Sequence, residues 1–136
     1  RWGVIMRKDS PLAEKEAIQR EDLLGVPLIC SRQAISGERR GNEFAGWFGG
    51  DFDKLDIVTT FNLVYNAAIM VEAGVGYAVT IDKIAHTSED SSLCFRPLEP
   101  PLDAGLNIIW KKYQVFSPAA ELFLEKLRER FSDPEL

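Results

Sequence analysis

IVTTFNLVYNAAIMVEAGVGYAVTI, residues 57–81, decides how the chain reads. Its opening belongs to a stretch, Leu55 to Thr59, in which apolar and polar residues alternate in steps of two, the pattern of a half-buried strand. Asn62 then stands as an N-cap, and Leu63, Ala67, Met70, Val71 and Ala73 recur at helical spacing. Gly74 suits the left-handed position that follows a helix. Val75 to Ile81 returns to strand character, with small residues through which a helix can approach a sheet closely. Strand, helix and strand at this spacing form a βαβ unit of a parallel sheet.

The same alternation extends outward. Toward the N-terminus, Trp2 to Arg7 is a β-prone run stopped by Asp9-Ser10-Pro11. Glu21 to Leu24 reads as a short helical turn ended by Gly25, and Val26 to Cys30 as a buried strand with Pro27 near its first residue. Ser31 to Gly37 is polar and turn-rich. Phe44, Trp47 and Phe48 mark the inward face of a helix over 38–48, which Gly49-Gly50-Asp51 ends. Toward the C-terminus, Asp82 to His86 reads as a short helix, Ser88 to Ser92 as a loop, and Leu93 to Leu98 and Leu106 to Lys111 as strands. Ser117 and Pro118 form a cap followed by Pro at the first helical position. Phe123, Leu124, Leu127 and Phe131 line one face of that helix until Ser132-Asp133-Pro134. The expectation is an α/β fold with a largely parallel sheet.

Composition narrows the function. The 136 residues fit one domain, or one lobe plus part of another. A net charge of −5 has the wrong sign for neutralising phosphates, which argues against direct nucleic-acid binding by this segment. The longest apolar stretch, Ala67 to Ile81, is broken by Glu72 and Gly74 and falls short of the ~20 residues of a membrane helix. No secretory signal opens the chain. Cys30 and Cys94 each sit in a strand-like run, as reduced core thiols do, so a cytoplasmic location is expected. The single His86 has no partners at ligand spacing, and no metal site is expected. Nucleophile elbow, phosphate loop and zinc-binding helix motifs are missing, so neither an enzyme nor a cofactor is expected. Gly74 and Gly76 lie between helix and strand, the reverse of the dinucleotide order.

Five segments in order, RWGVIMRKDSPLA, REDLLGVPLI, IVTTFNLVYNAAIMVEAGVGYAVTI, LCFRPLEPP and LNIIWKKYQVFSPAAELFLEKLRERF, resemble the effector-binding domain of LysR-type transcriptional regulators. The resemblance spans almost the whole chain, with Thr80 standing where the family commonly has proline. It implies a periplasmic-binding-protein-like type II fold, with a small-molecule effector held between two lobes joined by crossing strands. Residues 10–97 are then the second lobe, and 1–9 and 98–136 supply crossover and first-lobe elements. Trp2 to Arg7 and Leu93 to Leu98 would carry the crossovers. The chain starts in mid-pattern without Met, and its tail from Leu102 supplies one strand and one helix, as expected of a partial domain. DNA would be reached only through the family's N-terminal winged helix-turn-helix. A fragment of a periplasmic solute-binding protein is the alternative on the same architecture. Apolar faces including Trp2, Ile108, Trp110, Phe123 and Leu127 would be exposed and drive self-association as a homodimer.

In open α/β sheets, ligands sit beyond the carboxyl ends of the strands. Two loops answer to that description, Ser31-Arg32-Gln33 and Thr60-Phe61-Asn62. Thr60 and Asn62 would offer hydrogen bonds at a positive helix end, and Arg32 or Gln33 would pair with a carboxylate or phosphate. Ordinary capping and a solvated loop are the competing reading. Phe61 is either a stacking surface or a core aromatic. Thr80 ends a strand and is a further cleft residue. Glu38-Arg39-Arg40 reads as a solvated helix face or a salt-bridge contact in lobe closure or dimerisation, and Glu125, Lys126, Arg128 and Glu129 as the exposed side of the last helix.

Overall fold

The computed structural model describes residues 1–36, 43–105 and 108–131, and the chain divides into two compact units, Arg1–Gly105 and Leu106–Leu136. The first unit holds strands β1 (Trp2–Arg7), β2 (Leu28–Ser31), β3 (Ile57–Phe61), β4 (Tyr77–Ile81) and β5 (Leu93–Pro97). Its α-helices are α1 (Arg32–Ser36), α2 (Glu43–Phe48) and α3 (Val64–Glu72), with 3-10 turns at Pro11–Glu14, Arg20–Leu23 and Gly49–Lys54. The five strands form one sheet in the order β3-β2-β4-β1-β5. Parallel pairing joins β2 to β3 and to β4, whereas β1 pairs antiparallel with both β4 and β5. The sheet is therefore mixed, not largely parallel. A crossover helix dictates the direction of the strands it joins, as α3 does for β3 and β4. It leaves open the direction of β1, whose neighbours come far later in the chain.

Both faces of the sheet are covered. Val4, Met6, Leu28, Cys30, Val79 and Cys94 face a layer made by Ile18, Leu23, Phe44, Trp47 and Phe48. Ile5, Ile29, Ala78 and Leu93 face the other way, with Ala67 and Val71 of α3 and with Phe61. Neighbouring residues of one strand thus serve opposite layers, which is why the runs through β1 and β2 are continuously apolar. Ala78 is the small residue against α3. Gly76 serves a different approach, because a Cβ there would lie 2.4 Å from the Pro27 carbonyl oxygen.

Several expectations are corrected. The register of β2 against β3 slips between Leu28 and Ile29, whose partners are Ile57 and Thr59. Val58 is an extra residue that breaks the period-two pattern, and the strand runs on to Phe61 instead of ending at Thr59. Thr60 and Phe61 consequently lie in the strand, and the residue before α3 is Leu63, extended at φ −122° with no side-chain cap. Asn62 is not the N-cap. Arg32–Ser36 is a short helix where a polar turn was expected. Asp82 to His86 is a turn with Lys83 at φ 61°, not a helix. Of the helix expected over 38–48, the described part is α2, and Glu38-Arg39-Arg40 lie outside the described residues. Trp2 is not an open apolar face: it is half-buried, stacks on Phe44 at 6.0 Å and donates its indole N–H to Glu43 at 3.1 Å.

The second unit carries α4 (Pro118–Phe131). Ser117 Oγ accepts the Ala120 N–H at 3.3 Å, and its carbonyl accepts that of Glu121 at 3.0 Å, so cap and proline start the helix as read. Leu124 and Leu127 are half-buried, whereas Phe123 and Phe131 are exposed. Trp110 meets Phe116 edge-on at 6.2 Å, and the Arg128 guanidinium lies 5.9 Å from its ring centre. Ile108 to Lys111 form no strand, and Leu106 and Asn107 lie outside the described residues. A run of β-formers without a partner strand has no ladder to complete. Among the described residues no helix is long and apolar enough to cross a membrane.

Candidate functional site

The carboxyl ends of β2, β3 and β4 and the amino end of the reversed β1 share one edge of the sheet. A hollow of about 420 Å³ opens there. Ser31 and Gln33 line it from the β2–α1 junction, and Phe61, Asn62, Leu63 and Val64 from the passage of β3 into α3. Thr80 and Ile81 reach it from β4, Ile84 from the turn beyond, and Trp2 from β1.

Five of the seven residues singled out in the sequence therefore surround one space. The remaining two, Arg32 and Thr60, do not line it. Thr60 pairs with Cys30 and so projects on the sheet face opposite to Phe61. Arg32 is one residue before Gln33 on a helix, and about 100° of rotation separates neighbouring positions. Phe61 is at once a lining residue and a core aromatic, buried with Ile5, Ile29, Ala67, Val71 and Ala78. Thr80 is 4% exposed, the single buried polar residue among those described, and stands opposite Gly3 of β1.

The sequence reading missed Trp2, Leu63, Val64, Ile81 and Ile84. Ile81 follows Thr80 directly and was within reach of the strand-end rule. Trp2 was not, because only the register of β1, with Trp2 opposite Ile81, brings it to this edge. The N–H groups of the first turn of α3 have no preceding helical carbonyls and give this end a partial positive charge.

The cysteines are free and buried, and neither lines the hollow. Both face the aromatic layer, and β4 and β1 separate their strands, so roughly 14 Å of sheet lies between them. That is too far for a disulfide. Burial pushes the Cys30 thiol up to about 12. Native Cys30 is expected to resist iodoacetamide at pH 8 and to react at the ordinary thiol rate in urea, as followed by peptide mass spectrometry. Rapid modification in the folded state would show that the sheet opens at β2. His86 meets Ser88 Oγ at 3.0 Å in an exposed loop, and no group of three or more His, Cys, Asp or Glu is placed to hold a metal among the described residues.

The family model for the LysR substrate binding domain matches residues 1–132. Over 132 residues the chain is 32% identical to the uncharacterized HTH-type transcriptional regulator YbhD of Escherichia coli (strain K12), a match covering 93% of this chain and 39% of that protein. The chain thus spans well under half the length of this relative. Among solved structures, HinK, a LysR family transcriptional regulator from Pseudomonas aeruginosa, superposes with a TM-score of 0.69 at 19% identity, covering 96% of this chain and 44% of that one. The regulatory domain of Synechocystis PCC6803 CcmR, solved in complex with 2-PG, gives 0.58 at 18% identity, covering 97% of this chain and 63% of that one. At such identities the structural likeness concerns the fold.

Proposed function

Because this chain belongs to the LysR substrate-binding domain family, whose α/β fold is that of the type II periplasmic binding proteins, we propose that it holds part of a small-molecule effector site and couples its occupancy to transcription. The observation that carries the reading is the convergence of Ser31, Gln33, Phe61, Asn62 and Thr80, from three separate strand ends, on one hollow. A regulatory domain of the same fold is known in complex with 2-PG, which agrees with a ligand-holding role.

In this reading residues 10–97 are one lobe, and 1–9 and 98–136 supply the crossovers and parts of the other. The antiparallel pairing of β1 with β5, from Gly3 opposite Pro97 to Arg7 opposite Leu93, suits two strands that enter and leave a lobe side by side. The whole regulator works as a cytoplasmic homodimer or higher oligomer and reaches DNA through an N-terminal winged helix-turn-helix. It is not an enzyme. An effector shifts the balance between two arrangements of the lobes only by the difference in its affinity for them.

Calorimetric titration of a regulator carrying both lobes against a metabolite panel tests the proposal. Asn62→Ala and Thr80→Val are each expected to weaken the effector about tenfold, the worth of one neutral hydrogen bond at its upper range. Unchanged affinity in both variants would remove the hollow as the effector site.

A further inference from the structure

We propose that this lobe carries a second ligand site, for phosphate or a like tetrahedral oxyanion, at the end of the sheet opposite to the hollow. The proposal does not depend on the reading of the hollow. Lys8 follows the carboxyl end of β1, whose amino end borders the hollow, and a cavity of about 280 Å³ lies beside it. Thr87 and Arg96 line the same cavity. Strand alternation brings the two cations together. Val4 and Met6 face the aromatic layer, and Lys8, two positions beyond Met6, continues on that side. Cys94 pairs with Met6 and Arg96 with Val4, which puts both on that side as well, and Cys94 also lines the cavity.

Both cationic heads are fixed by neutral partners. Lys8 Nζ donates to the Ser88 and Glu89 carbonyls at 3.0 and 2.7 Å. Arg96 donates from Nε to the Lys15 carbonyl at 2.6 Å, from Nη2 to that of Ala13 at 2.7 Å and from Nη1 to that of Phe95 at 3.0 Å. An ammonium has three N–H groups and a guanidinium five, so these bonds leave one of Lys8 and two of Arg96 over. The carbonyls order the heads without neutralising them, and a ligand finds its donors already placed. Glu89 lines the cavity too and offsets one of the two positive charges. One positive charge remains, which an anion fills. The donors come from β1, from β5 and, through the Thr87 hydroxyl, from the loop between β4 and β5. The oxygens of a tetrahedral anion point several ways and can meet all three, whereas a planar carboxylate presents two.

Proton–nitrogen correlation spectra of the 136-residue chain during titration with sodium phosphate, sodium acetate or sodium chloride, at constant pH and ionic strength, test the proposal. The reporting signals are the amides of Thr87, Glu89 and Arg96, with those of Asn62 and Thr80 standing for the hollow. Phosphate is expected to move the first set along a saturating curve without moving the second, and acetate to bind about fivefold more weakly or less. Lys8→Gln, whose carboxamide can still donate to the two carbonyls, is expected to weaken phosphate about tenfold. Glu89→Gln is expected to tighten it severalfold. A drift equal in phosphate and chloride, acetate binding as tight as phosphate, or saturation confined to Asn62 and Thr80 would each overturn the proposal. So would phosphate affinity unchanged by Lys8→Gln in a folded chain. Should that variant unfold, Glu89→Gln decides, and unaltered affinity there overturns the site.

Discussion

Phe44→Ala is expected to lower the stability of the chain by about 3–5 kcal/mol, the range for deleting a large aromatic from a packed core. Phe44 has no exposed surface, and its ring is the hub of a cluster. Trp2, Trp47 and Phe52 lie at 6.0 Å and Phe48 at 6.2 Å, centre to centre. Truncation removes the ring from four neighbours at once and leaves a cavity that α2 cannot close, because Trp47 is tied by its indole N–H to the Pro100 carbonyl at 2.6 Å. Urea unfolding followed by circular dichroism measures the loss, with the slope unchanged if only the native state is affected. Phe123→Ala serves as the contrast. Phe123 is 62% exposed, so its truncation is expected to change stability by about 0.5 kcal/mol or less. Equal effects of the two substitutions would mean that α2 does not cover the sheet as described.

Gly3→Ala is expected to cost about 2–3 kcal/mol, toward the upper range for forcing extra volume into a filled core. A Cβ at Gly3 would lie 2.2 Å from a ring carbon of Phe95 and 2.4 Å from the carbonyl oxygen of Arg96. The Phe95 ring can turn away, but the carbonyl belongs to the neighbouring strand. Relief therefore requires β1 and β5 to part, and the Arg96 guanidinium resists that by bonding the Ala13 and Lys15 carbonyls at 2.7 and 2.6 Å. Gly46→Ala, in the exposed interior turn of α2, is the matched control. Nothing lies within 4 Å of a Cβ there, and the change is expected to stabilise by roughly 0.5–1 kcal/mol through helix propensity. Thermal melts of both variants decide the matter, and a gain at both positions would contradict the close pairing of β1 with β5.

Much of the architecture was legible in local chemistry. β1 spans Trp2–Arg7 as its β-prone run suggests, α3 stops at Gly74 with φ 79°, and α4 starts where Ser117 and Pro118 place it. These features depend on neighbours within a turn or on a continuous apolar run. What escaped the reading depends on partners remote in sequence. The bulge at Val58 exists only against β2, and it moved the end of β3 and the start of α3 together. The direction of β1 is set by strands that follow it by most of the chain. Ile108 to Lys111 have strand composition without a strand to pair with.

The candidate site divides along the same line. Ser31, Gln33, Phe61, Asn62 and Thr80 were found by asking what lies just beyond each strand, and they share the hollow. Arg32 and Thr60 satisfied the same rule but face elsewhere, because a position in sequence does not state a rotation about a helix or a side of a sheet. Trp2 and Ile84 could not be found that way.

Trp2 stands at a crossing of several constraints. Its ring rests on Phe44 and edges the hollow, while its backbone N–H donates to Leu102 at 2.7 Å and its carbonyl accepts the N–H of Leu98 at 3.1 Å. One residue at the hollow's rim is thus also the cleat to which the backbone of Leu98 and Leu102 is lashed.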